Sequence, residues 1–103
     1  MGNGAHAEGY ETLVYGEGSH VEGYLAKISN TKNVNPYGAH AEGIETEAQE
    51  IAAHAEGSGT IASGFASHAE GIETVASGNG AHAEGGYYDD EADITYPGGE
   101  ASG

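Results

Sequence analysis

Small and polar residues alternate in short runs along this chain, and glycine closes each run. In A-H-A-E-G an extended backbone turns Ala5 and Ala7 to one side and His6 and Glu8 to the other. In V-A-S-G, Ala76 opposes Val75 and Ser77 in the same way. A helix fits poorly: no apolar stripe recurs at 3.6-residue spacing, and each glycine would cost it about 1 kcal/mol relative to alanine. The pattern therefore predicts short strands, punctuated by glycine where the backbone needs a tight corner or positive φ.

The runs are copies of one another. Every histidine sits in the same setting: His6-Ala7-Glu8-Gly9, His20-Val21-Glu22-Gly23, His40-Ala41-Glu42-Gly43, His54-Ala55-Glu56-Gly57, His68-Ala69-Glu70-Gly71 and His82-Ala83-Glu84-Gly85. The histidine intervals are 14, 20, 14, 14 and 14, a period of 14 broken once by a six-residue insertion. Two short strands and two turns per period predict an all-β fold, one coil of a narrow β-solenoid per repeat, with coils stacked about 4.8 Å apart. Equivalent residues then form ladders. Ala5, Ala7, Val21, Ala41, Ala55, Ala62, Ala69, Ala76 and Ala83 are expected inside the roll, with the histidines and glutamates outside. Gly9, Gly16, Gly23, Gly43, Gly57, Gly64, Gly71, Gly78 and Gly85 are expected at the corners.

The array is read as one unit over residues 1–103, part of a longer chain because it opens inside a repeat. Residues 24–37, rich in Asn and holding both lysines, read as a protruding loop or hairpin. Glu47-Ala48-Gln49-Glu50 lacks the glycine of its half-repeat, residues 86–98 read as a second elaborated loop, and Glu100-Ala101-Ser102-Gly103 resumes the pattern.

Composition narrows the function. With no Trp and one Phe, the chain has little material for a core of large side chains. Alanine burial stabilises each coil only weakly, so association is expected. A net charge of −15, with two lysines and no arginine, argues against nucleic acid and anionic membrane surfaces. The absence of cysteine removes disulfides, thiolate metal sites and cysteine nucleophiles. No apolar run is long enough to span a bilayer, and Met1–Gly4 shows no secretion signal.

The small-x-small-x-Gly alternation, twice per 14 residues, resembles the head repeats of YadA-like trimeric autotransporter adhesins. The wording S-H-A-E-G-x-x-T-x-A-S-G, as at residues 67–78, is similar to head-type repeats in tail and fibre proteins of bacteriophages and prophages. The resemblance covers roughly residues 4–23 and 38–85. It implies a left-handed parallel β-roll assembled as a homotrimer, on a virion tail fibre or a bacterial cell surface. It also implies that His6, His20, His40, His54, His68 and His82, with Glu8, Glu22, Glu42, Glu56, Glu70 and Glu84, face the trimer axis. In the adhesins aliphatic residues hold those positions.

Two further readings of the ladder compete with that one. A solvated outer rank is the plainest, but surface ranks usually mix residue types and this one admits only His and Glu. Metal ligation is the sharper, since His and Glu bind first-row ions. Six rings one coil apart would crowd dications, so no metal or cofactor is assigned. The rank Thr12, Thr46, Thr60 and Thr74 supplies one Thr per coil, too few for an ice-binding face. Ser19 and Ser67 adjoin histidines but lie on the opposite face, so no nucleophile pairs with them and no enzyme is expected. The expected role is structural, with the loops meeting any host-surface receptor.

Overall fold

The computed structural model describes residues 4–29, 36–85, 87–89, 94–96 and 100–101. Among them every regular element is a strand, and the strands stack as a β-solenoid. One six-stranded sheet holds β1 (His6–Tyr10), β3 (His20–Tyr24), β5 (His40–Ile44), β7 (His54–Ser58), β9 (His68–Ala69) and β11 (His82–Ala83), in that order. The other runs β2 (Leu13–Val14), β4 (Lys27–Ile28), β6 (Glu47–Ala48), β8 (Ile61–Ala62), β10 (Val75–Ala76), β14 (Glu100–Ala101). All pairings within these two sheets are parallel. The register aligns motif with motif: His6 on His20, His20 on His40, His40 on His54, His54 on His68 and His68 on His82.

The space between the sheets is filled by small side chains. Val21, Ala41, Ala55, Ala69 and Ala83 lie inside from the first sheet, and Val14, Ile28, Ala48, Ala62 and Ala76 from the second. Ala5 and Ala7 are partly buried against them, since β1 is the outermost strand of its sheet. Between the sheets Thr46, Thr60 and Thr74 are fully buried beside Ala26, so the threonine rank is an interior column and not a surface one. Two of the three hydroxyls have a local acceptor: Thr60 Oγ1 donates to the Glu56 carbonyl at 3.1 Å and Thr74 Oγ1 to that of Glu70 at 3.0 Å, while Thr46 Oγ1 is buried without a partner among the described residues.

Corners lie elsewhere than glycine spacing suggests. The compact left-handed conformation, φ 51° to 70°, occurs two residues before each histidine (Gly4, Gly18, Gly38, Ala52, Ala66, Gly80) and five after it (Glu11, Leu25, Glu45, Gly59, Glu73). The motif glycines Gly9, Gly23, Gly43, Gly57, Gly71 and Gly85 instead lie in or beside the first-sheet strands, with φ between 107° and 124°. A Cβ on Gly57 would sit 2.1 Å from the Gly71 carbonyl oxygen in the next layer. Gly9, Gly23, Gly43, Gly57 and Gly71 are required by backbone approach between layers as well as by φ, whereas Gly85 meets nothing among the described residues and is required by φ alone. Gly16, at φ 91°, faces the Pro36 carbonyl in the same manner. Gly64 and Gly78 are not positive-φ positions; each opens a turn whose carbonyl accepts from the residue three on, Ser67 and Ala81. Glu50 does the same for Ala53, which is why that half-repeat closes without its glycine.

The interruption of the repeat is narrower than residues 24–37. Tyr24 belongs to β3, Ala26 and Ile28 fill the interior, and Lys27 pairs with Leu13 and Glu47 in the second sheet. The coil resumes at Pro36, whose carbonyl accepts from Ser19 Oγ at 2.8 Å. Residues 30–35 lie outside the described residues. Over residues 86–98, β12 (Tyr87–Asp89) and β13 (Ile94–Tyr96) form an antiparallel pair, while the segment between them is also outside the described residues. The Glu100-Ala101 strand then rejoins the second sheet on Val75 and Ala76.

Candidate functional site

The outward face of the first sheet carries the histidine and glutamate ranks. Alternation along each strand puts His and Glu outside and the intervening Ala or Val inside. Parallel in-register pairing then stacks like on like. The imidazoles form one column from His6 to His82, with ring centroids 4.5–4.9 Å apart and interplanar angles of 6° to 23°. None is deeply sunk: in the middle of the array, His54 and Glu56 side chains keep 34% and 32% of their surface. A half-covered polar face on a chain with a weak interior is material for an interface as well as for solvation.

Within each strand the Nε2 atom lies 3.5 to 3.9 Å from the carboxylate two residues on. That is longer than a good N–H to carboxylate hydrogen bond. Across layers the contacts tighten at one end of the column. The His68 imidazole donates to Glu56 at 3.3 Å, and His82 Nε2 lies 3.4 Å from Glu70. Glu56 thus links His54 and His68, and Glu70 links His68 and His82. Nearer the other end, the Nε2 atoms of His20, His40 and His54 are covered yet have no hydrogen-bond partner among the described residues.

Burial pushes the His54 imidazole below its ordinary value, and the neighbouring His40 and His68 push it the same way; Glu56 opposes them. For Glu56, burial alone would raise the carboxyl. Its neighbours Glu70, His54, His68 and Glu42, with the His68 imidazole donating to it, outweigh burial and hold it below the usual range. At this layer burial disfavours charging His54, while the carboxyl of Glu56 is held ionised to lower pH than usual.

At the end of the same strands stand Tyr10, Tyr24 and Ile44, each about half exposed, the two tyrosines stacked at 5.1 Å. Sequence reasoning did not single out this rank, although counting two residues on from each motif glutamate reaches it. Leu13, Tyr15, Tyr37 and Phe65 are exposed as well. No protein-family model matches the chain, nor does any curated protein or solved structure.

Proposed function

We propose that this chain is a structural, non-enzymatic module, a left-handed β-roll with 14 residues per coil that works as a homotrimer. Its His/Glu face meets the equivalent faces of two further copies at a common axis. Its role is to hold distal parts of a phage or prophage tail fibre, or of a bacterial surface adhesin, in threefold register. Any host-surface receptor is met by the loops around residues 24–37 and 86–98. Neither nucleic acid nor membrane insertion belongs to this reading.

One observation carries the proposal: the ladder is uniform, outward and only half covered, with ring nitrogens of His20, His40 and His54 lacking partners among the described residues. Carboxylates of neighbouring copies would supply acceptors for those nitrogens. The small interior points the same way, because alanine and threonine bury little apolar area and leave the roll in need of partners. The resemblance to trimeric head repeats agrees with both.

Substitution of one layer tests it. Glu70→Ile removes the carboxylate shared by His68 and His82, leaving His68 on Glu56 and His82 with only the long 3.9 Å contact to Glu84, which should destabilise the assembly by about 1–3 kcal/mol. His68→Val together with Glu70→Ile replaces the polar layer by an aliphatic one and should restore or exceed the parent melting temperature. Equal melting temperatures for parent, single and double variants would place the ladder in solvent and sink the axial assignment.

A further inference from the structure

We propose that His40, Glu42 and His54 form a binding site for a first-row divalent cation such as zinc, on the surface of the single chain. One ring nitrogen of each histidine and one carboxylate oxygen lie within 4.8 Å of one another. His40 Nε2 is 3.5 Å from Glu42 Oε1. Two ligands held at about 2.0–2.1 Å by a tetrahedral ion are roughly 3.4 Å apart, so this pair has the spacing of shared ligation and not that of a hydrogen bond. The stacked rings of His40 and His54, 4.5 Å between centroids, bring the second nitrogen to the same side.

Both nitrogens are also vacant in the chemical sense. His40 Nε2 and His54 Nε2 are covered atoms without a hydrogen-bond partner among the described residues. A covered, unpartnered imidazole nitrogen is costly unless something ligates it. The next group along the column, His54, Glu56 and His68, is less available because His68 already donates to Glu56 at 3.3 Å. A net charge of −15 raises the local concentration of dications around the whole ladder.

The ladder also limits its own loading. The two central groups share His54, and one Nε2 ligates one ion, so adjacent layers cannot both be filled. Alternate layers lie about 9.6 Å apart, near the Debye length at physiological ionic strength, which removes the crowding that six filled rings would bring. The remaining groups, His6 with Glu8 and His20, and Glu70 with His82 and Glu84, share no ligand with the central one. At most three ions fit per chain without sharing.

The site is built from one chain, but its nitrogens are the ones the trimeric reading gives to neighbouring carboxylates, so uptake and oligomeric state are measured on the same samples: a trimer without uptake overturns this site alone, and uptake by a single chain leaves this site standing without the trimer. The test is titration of the metal-free chain with cobalt(II), read by visible absorption, followed by competition with zinc, at neutral pH. The parent should show saturable uptake of three ions or fewer per chain, with zinc displacing cobalt. His54→Ala should lower the saturating stoichiometry by one. Glu42→Gln, which keeps the shape of the side chain, should weaken the central site at least about tenfold. Circular dichroism should show both variants folded. No uptake by the parent would overturn the proposal, as would His54→Ala and Glu42→Gln binding as the parent does.

Discussion

Gly57→Val should abolish cooperative folding, whereas Asn79→Val should cost about 1 kcal/mol or less. The glycine is at φ 108°, a conformation that a β-branched residue adopts only with strain of order 1–3 kcal/mol. Strain is the smaller part. The new Cβ would lie 2.1 Å from the Gly71 carbonyl oxygen and 2.9 Å from its amide nitrogen, and neither can retreat. Gly71 stands in the same relation to Gly85, at 2.0 Å, so displacement in one layer is passed to the next. Asn79 is exposed and accepts one hydrogen bond, from the Phe65 backbone N–H at 3.2 Å, so its loss is local. Thermal unfolding followed by circular dichroism separates the two outcomes. Similar melting temperatures for both variants would show that the layers have room the backbone geometry denies them.

Acidification should destabilise the protein, and the sign follows from the ladder. His54 is held below its ordinary value of 6.5 by burial and by its neighbours His40 and His68. Around and below pH 6.5 the unfolded chain binds the proton that the folded ring resists. The contribution of His54 to stability is therefore complete above pH 6.5 and lost as pH falls through the lower folded value. Glu56, held below its ordinary 4.5, adds a loss of the same sign at more acid pH. Charging His54 also sets its ring 4.5 and 4.6 Å from those of His40 and His68. The melting temperature in chelator should fall from pH 7 to pH 5 and fall further towards pH 4. A rise over that range would mean that carboxylate pairing with charged rings outweighs burial and ring repulsion.

Much of this architecture is legible in the residues. Strict alternation in A-H-A-E-G separates Ala41 and Ala55 from His40 and Glu42, and period-two geometry leaves little freedom in assigning faces. The corners are not legible, because residue type does not mark them. Glu11, Leu25, Glu45, Ala52, Ala66 and Glu73 occupy left-handed positions that glycine would fill more easily. They are held there by interlayer hydrogen bonds, such as Leu25 N–H to the Tyr10 carbonyl at 2.9 Å and Glu73 N–H to that of Ser58 at 2.8 Å. Glycine fills the other corners, at Gly4, Gly18, Gly38, Gly59 and Gly80, but also the sites where backbones approach, a tertiary requirement that local turn chemistry does not express. The threonine column misleads for a related reason: a hydroxyl that finds a carbonyl four residues back can be interior. Lys27 drew the insertion too wide, since a charged residue on the outside of a strand looks like a loop when its neighbours Ala26 and Ile28 are not yet known to be inside.

The central claim is that three copies share the His/Glu face. Sedimentation equilibrium of the chain at neutral pH measures it directly. The account predicts a single species of three times the 10.4 kDa chain mass, converted to smaller species by Glu70→Ile and kept by the His68→Val, Glu70→Ile pair. A cooperatively folded parent that sediments as one chain at every concentration would contradict it.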